Sequence, residues 1–489
     1  MTVVPSDLGD MDPEAFRRDA HRVVDWIADY LAGSDRYPVL SQVRPGAIAA
    51  ALPSHAPARG EPFDAIFADF ERVLIPGITH WNHPGFFAYF AITGSAPGIL
   101  AEFLSAALNV QAMLWRTSPA ATELEEVVLR WLRQLLGLPA AFEGVIYDTA
   151  SISTLHALAA AREGLAPSVR THGLARRTDV ARMRVYCSDQ SHSSIDKAVI
   201  LLGHGQESLR KIGSDSEFRM RPSLLAAAIA EDRAAGWQPL AVVATVGTTS
   251  STSVDPVPEI AELCRRESIW LHVDAAYAGV AGMVPGYEWI LRGAEQADSL
   301  VVNPHKWLFT PFDLSVLYCR RMDLLRAAFA LTPEYLETVE AAPVRNLMDT
   351  GVQLGRRFRA LKLWMVLRHF GADGLRARLA EHMRLARLFG EWIDGDASFQ
   401  RLAPVPFSVV CFRALPHADA AARDPETDTF NERLLAAVNA SGEMFISHTR
   451  LDGRYALRLA IGNLRTTEVH VARAWDLLRQ HAASLRLNR

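Results

Sequence analysis

One lysine of this sequence lies where a side-chain amine could attack an aldehyde. Lys306 belongs to the stretch 303–307, Asn-Pro-His-Lys-Trp, which directly follows the apolar run 299–302. Such a run predicts a buried parallel strand, and open α/β sheets bind ligands beyond the carboxyl ends of their strands. A lysine at such a position loses part of its hydration. If the neighbouring histidine and tryptophan cover it, the lysine loses more of its hydration. Its charge is then easier to remove, and the neutral amine is the nucleophile that forms a Schiff base.

Polar side chains follow three other apolar runs, 184–187, 240–245 and 269–273. The residues that follow these runs are His192, the pair Thr248 and Thr249, and Asp274. Each has an ordinary explanation by itself, as a buried histidine, a turn residue or a helix cap. Because parallel strands end at one edge of a sheet, the pattern instead predicts that four strands bring these side chains together with the lysine.

Six ordered motifs make the sequence resemble the group II pyridoxal-phosphate amino-acid decarboxylases, and most closely the aromatic L-amino-acid decarboxylases. The motifs occupy 79–90, 189–194, 244–249, 272–277, 303–307 and 354–359, so the resemblance covers nearly the whole chain. It implies an α/β fold of the fold type I, aspartate aminotransferase-like class with a mostly parallel central sheet. It also implies that pyridoxal phosphate is the cofactor, bound to Lys306 as a Schiff base.

The reaction implied by the resemblance is decarboxylation of an aromatic L-amino acid to its amine and CO2. Candidate substrates are tryptophan or 5-hydroxytryptophan, tyrosine or DOPA, and phenylalanine. One alternative is an aromatic acetaldehyde synthase, which combines decarboxylation with oxidative loss of the amino group. Another is a decarboxylase of a non-aromatic amino acid.

The resemblance also implies roles for cofactor-binding residues. Asp274 would pair with the pyridine nitrogen, while Ala276 and His192 would cover opposite faces of the ring. Thr249 would contact the cofactor or the substrate. The phosphate would be held by Ala150, Ser151, Ser299, Asn303 and His305. Residues 149–154 also open a predicted helix, whose first amides suit a phosphate, although an ordinary helix cap is the alternative.

Catalytic and substrate-binding roles are carried over in the same way. Tyr335 would return a proton to the substrate carbon from a mobile loop at about residues 332–353, whereas a packing role is the alternative on sequence alone. His192 could also handle a proton and contact the substrate, so the implied catalytic set is Lys306, His192, Tyr335 and Asp274. The implied substrate pocket further contains Trp81, Tyr89, Phe90, Gln111, Met113, Phe312 and Gly355. A glycine at position 355 leaves room for an indole ring.

Three segments are expected along the chain. Residues 1–94 would form an N-terminal helical arm, 95–370 the large cofactor domain and 371–489 a small α+β domain. Asp12 and Pro13 predict the start of an amphipathic helix that ends at Gly33. Relatives clasp a partner subunit with this arm, so the resemblance implies a homodimer with active sites at the interface.

Composition excludes several other classes of protein. The 489 residues include 55 acidic and 51 basic side chains, giving a formal net charge of −4 without a basic stripe, which argues against nucleic-acid binding. The four cysteines are widely spaced and predict reduced thiols in a cytoplasmic protein. The first thirty residues lack the apolar core of a signal peptide. The apolar stretch 97–115 contains Glu102 and predicts a buried helix, so no membrane span is expected.

Rival functions have weaker support. Gly203 and Gly205 suggest a dinucleotide-binding loop, but Ser208 stands where the third glycine belongs. His80 and His83 have no third ligand at a telling spacing, so no metal site is expected. A non-catalytic protein of the same fold would be expected to have lost Lys306 or Asp274, and the chain has both.

Overall fold

The computed structural model describes residues 9–331, 344–417 and 425–487. Its strands are β1 Phe86–Phe87, β2 Glu143–Tyr147, β3 Met183–Ser188, β4 Leu209–Ile212, β5 Gln238–Thr245, β6 Trp270–Asp274, β7 Ser299–Val302, β8 Ser315–Cys319, β9 Phe399–Arg401, β10 Val409–Ala414, β11 Phe445–Leu451 and β12 Arg454–Ala460. Its α-helices are α1 Pro13–Ala32, α2 Ala47–Ala51, α3 Phe63–Asp69, α4 Ala96–Leu108, α5 Pro119–Leu135, α6 Ala150–Leu165, α7 Ser168–His172, α8 Ser194–Leu201, α9 Pro222–Ala234, α10 Val257–Glu267, α11 Pro304–Trp307, α12 Met322–Phe329, α13 Ala360–Asp394, α14 Pro425–Ala440 and α15 Glu468–Leu487.

A seven-stranded sheet forms the centre of the molecule, in the order β2-β8-β7-β6-β5-β3-β4. Only β8 runs antiparallel to its neighbours, and the other strands share one direction. Strands β5, β6 and β7 are almost wholly buried, as expected for a parallel sheet covered by helices. The mostly parallel α/β fold expected from the sequence is confirmed.

The shared strand direction brings several chain segments to one edge of this sheet. Thr245 on β5 pairs with Asp274 on β6, and Asp274 pairs with Val301 on β7, so these strands end level with one another. The loops that follow β2, β3, β5, β6 and β7 therefore meet at this carboxyl edge.

A second sheet has the order β1-β11-β12-β10-β9. Its edge strand β1 comes from the N-terminal part of the chain and pairs Phe86 with Phe445 in β11. Helix α13 spans the predicted boundary at 370/371, where Gly371 has a non-helical backbone with φ 63°. The three predicted segments remain a prediction, and the first and last of them share this sheet.

Helix α1 begins as the sequence predicts. The Asp12 carboxylate accepts hydrogen bonds from the backbone N–H groups of Glu14 and Ala15, both at 3.0 Å, and so satisfies donors that have no partner inside the helix. Pro13 occupies the first helical position, where its missing N–H costs no hydrogen bond.

The expectation for residues 97–115 was wrong in length and in burial. Helix α4 ends at Leu108, because Asn109 adopts a left-handed backbone with φ 45°. Its face carrying Leu100 and Leu108 is open, with 55% and 59% of these residues exposed. Within the described ranges, no helix combines the length and apolar character needed to cross a membrane.

Candidate active site

Lys306 lies in α11, the short helix directly after β7 at the carboxyl edge. Its Nζ atom lies 5.2 Å from the centre of the Phe90 ring. Burial lowers the pKa of the Lys306 amine, the charge of Arg458 lowers it further, and the charge of Asp274 opposes both effects. The amine therefore loses its proton at a lower pH than an exposed lysine would.

The neighbours of Lys306 have hydrogen-bond partners of their own, and their expected covering of the lysine stays a prediction. His305 Nδ1 accepts a hydrogen bond from the backbone N–H of Leu314 at 2.8 Å. Trp307 points into the core, where its indole N–H donates to His382 Nδ1 at 3.0 Å. These side chains and Lys306 point in different directions, since successive residues of a helical turn are about 100° apart.

Asp274 ends β6 and is only 6% exposed. Its Oδ1 atom accepts a hydrogen bond from the backbone N–H of Ala276 at 3.1 Å, which fixes the carboxylate. His272, two residues earlier on the same face of the strand, is fully buried, and burial lowers its pKa to about 4. This histidine is therefore neutral near neutral pH and does not compensate the charge of Asp274.

His192 follows β3 and lies at the same edge, where its side chain is partly accessible. Its Nδ1 atom accepts a hydrogen bond from the backbone N–H of Ser194 at 3.1 Å, so the neutral ring carries its proton on Nε2. Partial burial lowers the pKa of His192, Asp274 raises it and Lys306 lowers it. Electrostatic coupling therefore joins His192 to both residues.

The residues predicted to hold the phosphate form the predicted phosphate cradle: Ala150, Ser151, Ser299, Asn303 and His305. The first two lie at the N-terminus of α6. The Thr149 hydroxyl donates to Asp148 at 3.0 Å and does not cap the helix, and Ser151 is exposed. Asn303 lies at the end of β7, where its backbone N–H donates to Ala276 at 3.0 Å. The Asn303 Oδ1 atom is buried and has no hydrogen-bond partner among the described residues. A polar ligand that reached this amide would remove an unfavourable buried group.

Ser299, which was also expected to hold the phosphate, lies within the sheet. It begins β7 in register with His272, three residues before the carboxyl edge of the strand. The hydroxyl oxygen of Ser299 accepts a hydrogen bond from the Trp270 indole at 3.0 Å and contacts His272 Nδ1 at 2.8 Å. The Ser299 hydroxyl therefore has partners inside the sheet, and its expected contact with the phosphate stays a prediction.

The two threonines after β5 have different surroundings. Thr248 is fully buried, and its hydroxyl oxygen accepts a hydrogen bond from the Ser253 backbone N–H at 2.9 Å. Thr249 is exposed at the edge of the sheet. Thr248 thus supports the turn, whereas Thr249 remains accessible to a ligand.

Several of the predicted substrate residues contact other aromatic rings. Phe90 stacks on Tyr277 with ring centres 3.8 Å apart, and Trp81 stacks near Tyr89 at 6.0 Å. Phe312 is 57% exposed, and its ring centre lies 4.9 Å from that of His305.

Of the other predicted substrate residues, Gln111 lies beside Gly355, and Met113 packs with Leu114 and Met348. Tyr335 lies outside the described residues.

Arg458 is a residue that the sequence analysis missed. It is 4% exposed, its guanidinium lies 4.5 Å from the centre of the Phe90 ring, and its Nη2 atom has no hydrogen-bond partner among the described residues. Its Nε–H donates to the Ser250 carbonyl at 3.0 Å, and its Nη1 donates to the Tyr89 carbonyl. An arginine inside the apolar run 455–460 was the signal that could have revealed it, because an arginine is rarely fully buried.

The described residues contain no group of three or more His, Cys, Asp or Glu side chains able to hold a metal ion. His80 and His83 have other contacts. The Nδ1 atom of His80 lies 3.0 Å from the Tyr30 hydroxyl, and that of His83 accepts the Gly85 backbone N–H at 2.8 Å.

Comparisons with known proteins agree on one family. The model of the pyridoxal-dependent decarboxylase conserved domain matches residues 45–415. Tryptophan decarboxylase 2 of Oryza sativa subsp. japonica is 41% identical, over 98% of this chain and 96% of that protein. Phenylacetaldehyde synthase of Arabidopsis thaliana is also 41% identical, over 98% of both chains. The crystal structure of Oryza sativa TDC with PLP and tryptamine superposes with a TM-score of 0.93 at 37% identity, covering 98% of this chain and all of that one.

Proposed function

Because this chain belongs to the pyridoxal-dependent decarboxylase family and is a pyridoxal-phosphate-dependent amino-acid decarboxylase, we propose that it converts aromatic L-amino acids to their amines and CO2. The family, cofactor and enzyme class expected from the sequence are confirmed. The observation that carries the proposed substrate class is the aromatic stack beside Lys306. Phe90 lies against both the lysine and Tyr277, and a flat ring packs favourably on such a surface.

The residues at the carboxyl edge fit the cofactor. The carboxamide of Asn303 is buried and has one terminal atom without a hydrogen-bond partner among the described residues, and α6 presents its N-terminal amides beside the exposed Ser151. The NH2 group of such an amide can donate to a phosphate. When bound, pyridoxal phosphate supplies an aldehyde carbon that bonds to amines and a ring that accepts the electrons left behind by CO2. We assign the phosphate to Ala150, Ser151, Asn303 and His305, and a contact with the cofactor or substrate to Thr249.

Each of the other residues would have a distinct task. Lys306 provides the amine that holds the cofactor before substrate arrives, and its lowered pKa favours the neutral form that this bond requires. Asp274 keeps a proton on the ring nitrogen through its negative charge. His192, with its proton on Nε2, covers one face of the ring opposite Ala276 and donates a hydrogen bond near the substrate carboxylate.

A second candidate is an aromatic aldehyde synthase, because a phenylacetaldehyde synthase is as similar to this chain as a tryptophan decarboxylase is. The sequence favours the amine as product, since Tyr335 stands where the resemblance implies a proton donor and aldehyde-forming relatives carry phenylalanine. Production of aldehyde also consumes oxygen and releases ammonia and peroxide, so the two reactions differ in measurable products.

We further propose that the enzyme is a cytoplasmic homodimer. Helix α4 presents an apolar stripe at helical spacing, Leu100, Phe103, Leu104 and Leu108, each at least 38% exposed. Phe16 on α1 is also 63% exposed, and exposed apolar surface of this kind marks a protein interface. All four cysteines are free and buried, which supports a reducing compartment.

Two experiments test the proposed reaction and the role of Lys306. Purified protein with pyridoxal phosphate is incubated with each common amino acid while amine, CO2 and oxygen uptake are measured. Amine from aromatic substrates without oxygen uptake is expected, whereas preference for an acidic substrate would refute the substrate class. Borohydride reduction and peptide mapping should place the pyridoxyl group on Lys306, and finding it on Lys197 or Lys362 would refute that role.

For the dimer, sedimentation of Leu104→Glu should show monomers while Leu201→Glu, a change at an exposed leucine of α8, should leave dimers. A monomeric parent protein, or dimers that persist in Leu104→Glu, would contradict the proposed interface.

A further inference from the structure

His156 lies on α6 and contacts two segments that are far from each other in the sequence. It is fully buried, and its ring centre lies 4.5 Å from that of Phe329, the last residue of α12. Its Nε2 atom accepts a hydrogen bond from the backbone N–H of Val352 at 3.2 Å. A Cβ atom added at Gly351 would lie 3.0 Å from the Cε1 atom of His156, so the ring packs directly against this part of the chain.

These contacts lie on either side of residues 332–343, which carry Tyr335 and lie outside the described residues. Residues 327–331 form the first flank of this segment, and residues 344–352 form the second flank. The ring of His156 contacts one residue of the first flank and two of the second. A single buried side chain therefore joins both flanks.

Each flank is also held by another side chain. Arg170 donates hydrogen bonds to the carbonyl oxygens of Ala327 and Ala330 in the first flank. The Tyr147 hydroxyl donates to the carbonyl oxygen of Thr350 in the second flank, and the ring of this tyrosine packs edge-on against the histidine ring. The two flanks therefore have defined places on the rest of the protein, and the histidine ring contacts both.

The protonation of His156 follows from its surroundings. Burial lowers the pKa of His156 to about 3, so the ring is neutral near neutral pH. Because Nε2 accepts the Val352 N–H, the single proton is on Nδ1, a buried atom without a hydrogen-bond partner among the described residues. Phenylalanine at this position would remove that unpaired donor and leave the Val352 N–H unpaired instead. Such an exchange should change the stability of the fold little.

We propose that His156 is a positioning residue for the protonation assigned to Tyr335, because it joins the two flanks of the segment that carries this tyrosine. The inference rests on the proposed function, in which Tyr335 returns a proton to the substrate carbon. A proton donor works only when it is held close to the atom that receives the proton. When the flanks are no longer joined, the phenol should protonate the carbon in fewer turnovers, and oxygen should react with it in more.

Separate substitutions remove the two contacts of the ring. His156→Phe keeps an aromatic ring beside Phe329 but has no acceptor for the Val352 N–H. His156→Gln can place an acceptor near the position of Nε2 but loses the ring. Gly351→Ala disturbs the same contact from the second flank, because its Cβ atom would press on the histidine. His204→Phe, at a partly buried histidine after α8, is the control.

The measurement is the rate of amine formation together with the oxygen consumed per CO2 released, on the aromatic substrate that the parent holoenzyme uses best. His156→Phe, His156→Gln and Gly351→Ala should each lower amine formation about two- to tenfold, the order expected for one lost contact, and raise the consumption of oxygen. In Tyr335→Phe protein, adding His156→Phe should change neither value further, because the two residues act in one step. His204→Phe should match the parent, and the midpoint of urea unfolding of His156→Phe should stay close to the parental value.

Other results would overturn the inference. A lower unfolding midpoint with the parental ratio of oxygen to CO2 would show that His156 has a merely structural role. Losses that add in the double variant would show that His156 acts independently of Tyr335. Parental rate and product ratio in His156→Phe and His156→Gln would show that protonation does not depend on this ring. If His156→Phe does not fold, His156→Gln and Gly351→Ala provide the same comparison. A Tyr335→Phe variant with the parental product ratio would instead refute the proposed role of Tyr335, on which the inference rests.

Discussion

Gly355 and Gln111 lie directly against each other. A Cβ atom added at Gly355 would lie 3.2 Å from Gln111 Nε2, closer than ordinary van der Waals contact. The Gln111 Oε1 atom accepts the backbone N–H of Arg356 at 2.6 Å, which fixes the glutamine side chain in that place. Both residues belong to the predicted substrate pocket. A side chain added at position 355 would therefore press on the Gln111 amide.

Replacing Gly355 with serine should lower kcat/KM for tryptophan more than for tyrosine. The added atoms displace the Gln111 amide and take volume from the proposed pocket, and changes of this size cost roughly ten- to two-hundredfold. Steady-state kinetics on both substrates provides the measurement. Gln111→Ala in the same background should restore part of the loss, whereas equal losses on both substrates would remove Gly355 as a selector.

Local sequence pattern was enough to locate Asp274 and Lys306 at one edge of the sheet. Both follow short apolar runs, and the ends of parallel strands are brought level by the hydrogen bonds of the sheet. A residue that directly follows a parallel strand can therefore be placed at the carboxyl edge of the sheet from the sequence alone.

The pattern could not determine which partner each side chain takes. Ser299 lies in a correctly predicted strand, yet its hydroxyl contacts Trp270 and His272 inside the sheet. Arg458 comes from the second sheet, more than 150 residues after Lys306 in the sequence, and only tertiary packing brings them together. Contacts of this kind depend on the three-dimensional arrangement of distant segments.

Replacing Asp274 with asparagine should lower turnover by at least about a hundredfold, the order expected for a lost electrostatic stabiliser. Asparagine can still accept the Ala276 N–H, so the loss would reflect the missing charge. The measurement is kcat at saturating cofactor, with absorbance showing that cofactor is bound. Near-parental turnover in that loaded variant would refute the role of Asp274.

Asp255 should make the stability of the fold depend on pH. Its carboxylate accepts the backbone N–H groups of Met220 and Thr245, at 2.7 and 2.8 Å, and burial raises the pKa of Asp255 to about 7. Because the folded protein keeps this proton while the unfolded chain releases it near pH 4, the contribution of Asp255 to the free energy of unfolding falls as pH rises from about 4 to about 7.

Urea unfolding of the parent and of Asp255→Asn at about pH 5 and about pH 8 tests this sign. The parent should lose more stability over that interval than the variant does. Asp373→Asn, at a carboxylate whose side chain is 99% exposed, is the control and should behave like the parent. A parent and an Asp255→Asn variant with the same pH dependence would show that Asp255 does not hold the extra proton.

Replacing Tyr335 with phenylalanine should slow release of amine and divert part of the flux to aldehyde, ammonia and peroxide. Without the phenolic proton donor, the carbon left by CO2 stays unprotonated for longer and can react with oxygen. Oxygen uptake measured beside amine formation tests the change. Amine at the parental rate without oxygen uptake would mean that another acid, such as His192 or Lys306, supplies the proton.

Arg458 should help to set the pH at which Lys306 becomes reactive. Its charge lowers the pKa of the Lys306 amine, and the guanidinium lies over the face of Phe90, the ring beside that amine. Arg458→Met removes the charge, so the pKa of Lys306 should rise and the neutral fraction at a given pH should fall, by up to about tenfold for each pH unit. The rate at which apoprotein attaches pyridoxal, followed by absorbance from about pH 6 to about pH 10, should shift its profile to higher pH.

Arg458→Lys is the matched control for this change. It keeps a positive charge but loses the forked geometry that binds the carbonyls of Ser250 and Tyr89. The lysine variant should therefore keep the parental pH profile even if its maximum rate falls, because the electrostatic effect on Lys306 remains. If both variants shift the profile equally, the hydrogen bonds of Arg458 control the reactivity of Lys306, and if neither does, the charge at position 458 has no influence on that amine.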